Sequence, residues 1–260
     1  MQERHLNGKL YFDELTYSTK KYIIPYINKY YPIASNMRIL EIGCGAGGNL
    51  LPFLEMGCEI TGFDLNKPRI EEARKILDAD NNPKVNLFCE DVFKVNGLGK
   101  FDIILVRDVI EHIPDKENFF RHMKGFLKEN GVAYFGFPAW YMPFGGHQQL
   151  CRNKFLSHLP FFHILPTSLY KGILSAFKEN KGTIDELISI KECGITIEQF
   201  RKYSKTNGYD IVNERLYFIN PHYEIKFKLK PRKLSLVIGK IPFIRNFFTT
   251  GCFFLIKQDK

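Results

Sequence analysis

Arg38-Ile39-Leu40-Glu41-Ile42-Gly43-Cys44-Gly45-Ala46-Gly47-Gly48 carries a short apolar strand through an acidic residue into a loop with four glycines. Glycine lets a backbone turn at positive φ and lets a ligand approach where a Cβ would stand. The run therefore reads as a nucleotide-binding turn. The following segment, Asn49 to Met56, can start a helix, whose N-terminus would offer N–H groups to a polar or anionic ligand. Gly43, Gly45 and Gly48 also satisfy the G-x-G-x-x-G spacing that favours NAD. Glu41, two residues ahead of the first glycine, points to a different ligand.

Three further acids stand where an open α/β sheet binds its ligands, at the C-terminal ends of strands. Asp64 ends the second strand-like run, Asp91 follows the third and Asp108 follows the fourth. A carboxylate at Asp64 can accept both ribose hydroxyls of a nucleoside. An acceptor near Asp91 can take the exocyclic amine of adenine, and a carboxylate near the glycine loop can face an amino group or a cation. Together they describe a nucleoside with an attached amino acid. His112 and His147 are the candidate catalytic residues, because a side chain titrating near neutral pH suits a base for a phenol or hydroxyl acceptor. A hydrogen bond to loop backbone is the alternative for each. His158, His163 and His222 read as structural or surface residues.

The elements that would position these groups alternate. Strand-like runs occur at Arg38 to Ile42, Glu59 to Asp64, Val85 to Cys89, Phe101 to Val106 and Gly131 to Phe137. Arg69 to Leu77 follows Pro68 and is rich in helix formers. Glu117 to Glu129 has apolar residues at helical spacing up to Asn130-Gly131. Strands alternating with helices predict a parallel sheet with right-handed crossovers. A proline-punctuated, aromatic region over 139–192 interrupts the rhythm and is expected as an inserted substrate or lid region, with a satellite core as the competing use of its aromatic residues. A helix over Thr196 to Thr206, a strand over Tyr209 to Ile219 and a closing strand over Gly251 to Lys257 are expected after it. Residues 220–250 form a basic, apolar flap between the last two strands.

On these residues the chain resembles the class I S-adenosylmethionine-dependent methyltransferases. Glu41, Gly43, Gly45 and Gly47 match that family's E-x-G-x-G-x-G signature, Asp64 its ribose-binding acid and Asp91 its adenine-side acid. Phe101 to Asp115 looks like its fourth motif in the form common among small-molecule and quinone methyltransferases. The position of His147 resembles the substrate loop of ubiquinone-type O-methyltransferases. The resemblance implies a single Rossmann-like α/β domain over 1–260, with a seven-stranded mixed sheet of order 3-2-1-4-5-7-6 and helices on both faces. It implies S-adenosylmethionine as cofactor, held by Glu41, Gly43, Gly45, Gly47, Asp64, Leu65, Asp91, Val92 and Asp108.

Composition narrows the rest. Cys44, Cys58, Cys89, Cys151, Cys193 and Cys252 show no C-x-x-C spacing, so neither a disulfide framework nor a zinc site is indicated, and no metal is expected. The reading is a cytoplasmic protein: Met1 to Lys9 has no apolar leader region, and no stretch approaches the roughly 20 apolar residues of a spanning helix. Residues 1–200 hold 24 Lys+Arg and 24 Asp+Glu, whereas residues 201–260 hold 13 and 4, so the formal net charge of +9 arises in the last 60 residues. Something anionic is expected there, a membrane surface met peripherally or a lipid-like substrate, the competing reading being a flap packed on its own domain or on a second subunit of a homodimer. The leading function is methyl transfer to a small, apolar or amphiphilic acceptor, with oxygen as the first choice of atom. An RNA methyltransferase is the alternative, although nucleic acid is not expected as a partner because no RNA-binding module is recognisable. An NAD-dependent oxidoreductase and a non-catalytic cofactor-binding protein complete the set.

Overall fold

The computed structural model describes residues 8–95 and 97–259. The charged start read at Met1–Lys9 lies, up to residue 7, outside the described residues. The first element is a helix that runs through α1 (Gly8–Ser18), one π-helical turn (Thr19–Ile23) and α2 (Ile24–Asn28). Strands and helices then alternate through β1 (Arg38–Ile42), α3 (Leu51–Glu55), β2 (Glu59–Phe63), α4 (Lys67–Ile76), β3 (Val85–Phe88), β4 (Phe101–Arg107), α5 (Lys116–Met123) and β5 (Leu127–Phe137). The helices α6 (Lys154–His158), α7 (Thr167–Ala176), α8 (Lys181–Cys193) and α9 (Ile197–Thr206) follow. The last stretch comprises β6 (Tyr209–Ile219), α10 (His222–Phe227), β7 (Arg232–Lys233), α11 (Leu236–Gly239), α12 (Ile244–Phe247) and β8 (Gly251–Gln258).

The strands form one sheet of order β3-β2-β1-β4-β5-β8-β6-β7. The first five are parallel, and β8 lies antiparallel between β5 and β6. Without β7 this is the expected 3-2-1-4-5-7-6 order, with β8 in the seventh place. The extra strand, β7, has two residues that pair with Tyr217 and Ile219, too few for any periodicity to announce it. Strands buried on both faces explain the continuous apolar runs: Ile104 and Val106 of β4 join the core under α5 and α9, while Ile103 and Leu105 join the core under α1 to α4.

Three local expectations are corrected. The helix read over Glu117 to Glu129 stops at Met123. Gly125 is a poor helix former, and the Phe101 amide donates to the Phe126 carbonyl at 2.7 Å, drawing the chain into the sheet so that β5 starts at Leu127 instead of Gly131. After the glycine loop the helix starts at Leu51, not Asn49, and is one turn long. Gly47 and Leu50 already form loop hydrogen bonds to Cys44 and Gly47, so the chain closes into turns before the helix begins. Within the insert, Phe162, Tyr170, Leu174 and Leu187 build a separate small core, while Phe144 and Leu150 face the cavity described below. Among the described residues no helix is long and apolar enough to cross a membrane.

Candidate active site

The glycine loop is shaped by what surrounds it. Gly43, Gly45 and Gly47 have φ of 76°, 53° and 82°, all in the left-handed region that only glycine enters at little cost. A Cβ at Gly43 would stand 2.3 Å from a methyl of Val109 and one at Gly47 2.6 Å from a methyl of Leu77. At Gly45 it would meet only the end of Arg69, at 3.4 Å, so the space there is left for something other than protein. Asp64, at the end of β2, accepts from the Gly45 amide at 2.8 Å and from the Asn66 amide at 2.8 Å. Its carboxylate thus sets the loop and the entrance to α4 together.

Glu41 is fully buried at the end of β1. One oxygen accepts from Asn49 Nδ2 at 2.6 Å, and the other has no hydrogen-bond partner. Asn49 Oδ1 in turn accepts from Thr19 Oγ1 and from Arg107 Nη1, each at 2.7 Å. Arg107 also donates to Ser18 Oγ at 2.9 Å and lies 3.3 Å from His222 Nδ1, whose other ring nitrogen is 3.6 Å from Glu14. This network ties the glycine loop to α1, to the end of β4 and to α10. None of Arg107, Glu14 or His222 was assigned to a site from sequence, and His222, read as structural or surface, borders the cavity. The signal available was weak: Arg107 stands inside the quoted fourth motif, but its partners lie 58 and 89 residues before it and 115 after it.

Burial lifts the Glu41 carboxyl from its usual range to about 8, against the lowering pull of Asn49 and Arg107. That shift favours the protonated carboxyl in this apolar setting. Because the folded value lies above the unfolded one, stability is full at acid pH and falls as pH rises from about 4.5 towards 8. Bringing a sulfonium and an ammonium close would expel that proton, so affinity for S-adenosylmethionine is expected to rise with pH, by up to about tenfold per unit, and to level off above about 8. Titration calorimetry in buffers of different ionisation enthalpy would read the released proton. Flat affinity with no proton exchange would show that Glu41 does not sense the cofactor.

The other assigned cofactor residues are spread along the same sheet edge. Asp91 accepts from the Phe93 amide at 3.0 Å and caps a 3-10 turn over Val92–Lys94, in which Val92 is buried. Leu65 is 75% exposed just beyond β2. Asp108, at the end of β4, has φ of 53° and an oxygen 3.5 Å from Arg107 Nε. It is the assigned cofactor residue that also lines the cavity, a cleft of about 970 Å³.

That cavity lies against the ends of β4, β5 and β8. Phe137, Met142, Phe144, Leu150, Phe227 and Leu229 give it apolar walls, and Arg107, Arg152, Lys154 and Lys226 supply positive charge. His112 and His147, assigned separately from sequence, meet here with ring centroids 5.2 Å apart and planes at 64°. His147 is held in the left-handed conformation, φ 54°, just ahead of a 3-10 turn. His112 is exposed on the cavity side, and desolvation of the part of its ring set against protein lowers its pKa against the pull of Asp108. Glu111, which the sequence reading passed over, is buried beside them with neither carboxylate oxygen hydrogen bonded. Burial, reinforced by Asp108, pushes its pKa well up. Glu111, His112 and His147 each bring one nitrogen or oxygen within 4.8 Å of the others, close enough to share a proton or to enclose a small cation. Their positions left no metal-like spacing to read. His158 also borders the cavity, whereas His163 is buried, with Nε2 2.8 Å from the Trp140 carbonyl.

Comparison with known proteins places these features. Residues 40–133 match the family model described as a methyltransferase domain. An uncharacterised protein of Rickettsia prowazekii (strain Madrid E) is 28% identical over 80% of this chain and 41% of its own length. The ubiquinone biosynthesis O-methyltransferase of Rhodopseudomonas palustris (strain HaA2) is 34% identical over 38% of each chain. The chain thus spans about two fifths of the length of these curated relatives. Among solved structures, an S-adenosylmethionine-dependent methyltransferase from Clostridium acetobutylicum ATCC 824 superposes with a TM-score of 0.57 at 15% identity. The superposition covers 96% of this chain and 92% of that one, a likeness of fold.

Proposed function

We propose that this chain, whose domain is that of the class I S-adenosylmethionine-dependent methyltransferases, transfers the methyl group to a hydroxyl of a small amphiphilic acceptor. Gly43 and Gly47 shape the loop, Gly45 leaves room for the cofactor, and Asp64 takes the ribose hydroxyls. Leu65 and Val92 flank the adenine, Asp91 receives its amine, and Glu41 and Asp108 face the methionine ammonium. The acceptor enters the cavity beside Asp108, its apolar body against Phe137, Phe144 and Leu150 and any anionic group towards Arg152 and Lys154.

The observation that carries this reading is the meeting of His112 and His147 in the acceptor cavity, 5.2 Å apart over a buried carboxylate. A neutral imidazole there takes the acceptor's hydroxyl proton. The freed oxygen pair attacks the methyl carbon, the carbon–sulfur bond breaks, and its electrons stay on sulfur as S-adenosylhomocysteine. Beyond the proton, the protein supplies proximity and in-line alignment. The partial match to a ubiquinone biosynthesis O-methyltransferase supports oxygen as the acceptor atom. The test is a transfer assay with methyl-labelled cofactor against phenol, quinol, lipid and RNA extracts. Label is expected in a base-stable ether in the phenol, quinol or lipid fraction, and label confined to RNA would reject the proposal.

A further inference from the structure

We propose that the face made by α11, α12 and the turn between them docks on an anionic lipid bilayer. This holds whichever acceptor the cavity takes. Leu236 is 84% exposed, Val237 73% and Phe243 64%, and Ile241, Ile244 and Phe248 stand open beside them. Scattered exposed apolar residues are ordinary, but six within residues 236–248 concentrate exposed apolar side chains on one segment, as at sites that meet a membrane or a partner.

The segment is firmly seated. Leu234 is buried, and Ile238 packs on the main core. The buried guanidinium of Arg245 donates from Nε to Glu198 Oε1 at 2.8 Å and from Nη1 to the Gly239 carbonyl at 3.1 Å. Asn246 donates to Glu198 Oε2 at 2.7 Å and accepts from the Ile197 amide at 2.9 Å. Glu198 Oε1 also accepts from the Phe243 amide at 3.1 Å, while Phe243 is held at φ 61°, a rare conformation for an aromatic residue. The inward side chains fix the segment, so its outward ones are presented on a set backbone.

Charge selects the occupant. Lys228, Lys230, Arg232, Lys233 and Lys240 are exposed along the approach to this face, and no acidic side chain occurs between Ile225 and Gln258. Apolar tips flanked by lysine and arginine suit a surface with hydrocarbon beneath and phosphate above. The same run lines the acceptor cavity through Lys226, Phe227 and Leu229, so docking would bring that wall of the cavity to the lipid.

Flotation of the full chain with phosphatidylglycerol-containing vesicles, against phosphatidylcholine alone, tests this. Recovery is expected with the anionic vesicles, falling about tenfold in roughly 0.5 M salt. The double substitution Leu236→Asp with Val237→Asp, remote from the cofactor residues, is expected to lower recovery at least about tenfold while leaving S-adenosylmethionine binding unchanged. As a second readout, Val237→Trp should give a blue-shifted emission that brominated acyl chains quench. Any of four results overturns the proposal: no flotation, flotation indifferent to the double substitution, a dimer in sedimentation that the substitution dissolves, or retention on RNA in place of vesicles.

Discussion

Asp64→Ala is expected to weaken S-adenosylmethionine binding about 100-fold or more. A carboxylate that accepts two ribose hydroxyls makes two charge-assisted hydrogen bonds, each contributing roughly 1.5 to 3 kcal/mol, and the sum corresponds to a factor of about 10² to 10⁴. The same carboxylate also holds the Gly45 and Asn66 amides, so part of the loss would come from a loosened loop. Gly45→Val separates the two effects. The new Cβ would touch only the tip of Arg69, and the sheet should fold with a backbone cost of roughly 1 to 2 kcal/mol, yet the branched side chain would fill the space left for the ligand. Gly43 and Gly47 cannot serve this purpose, since a Cβ there collides with Val109 or Leu77. Calorimetry with S-adenosylhomocysteine, beside a thermal melt of the unliganded protein, reads both. Affinity retained in both variants would mean the cofactor lies elsewhere.

His147→Ala is expected to lower turnover by about 10² to 10⁴ at saturating cofactor, the range for loss of a positioned base, with cofactor affinity changed less than about threefold. Glu111→Gln should lower turnover as well, because an amide can neither give up nor take a proton among the three groups. The desolvation that lowers the His112 pKa keeps that ring neutral to lower pH than a free imidazole. The acid limb of the rate profile is therefore expected below about 6.5. A chelator included in the assay distinguishes two uses of the same three groups. Unchanged activity leaves proton transfer as their role, whereas loss on chelation and rescue by a divalent cation would make them ligands and retire the imidazole base. An unchanged rate in His147→Ala would return that residue to holding its loop.

The glycine-loop edge of the sheet was readable because its sequence pattern is local. The strand, turn and acid of Arg38 to Gly48 fall within eleven residues, and the parallel strands, buried on both faces, announce themselves as unbroken apolar runs. The sheet order came from the resemblance, and the two-residue β7 escaped because two residues carry no period. The acceptor side was only half legible. His112 and His147 could each be nominated from sequence, but their meeting depends on where the chain goes after β5. Glu111 was passed over because an acid on a one-turn helix usually faces water, and only the finished packing shows that it does not. Arg107, His222 and Glu14 were missed for a related reason: they touch through α1 and α10, elements some 200 residues apart in the chain.

The placement of β8 has a consequence for how a ribosome delivers this protein. β8 emerges after β6, yet it sits between β5 and β6, bonded to both. Until it arrives, β5 is an open edge and β6 has no place in the sheet, and the stretch Gly251 to Phe253 that floors the acceptor cavity does not yet exist. The glycine loop and its acids, by contrast, are complete once β4 has been made. A nascent chain could therefore complete the glycine-loop edge before the cavity is closed, and its unpaired β5 edge is the part most in need of a chaperone until β8 is made.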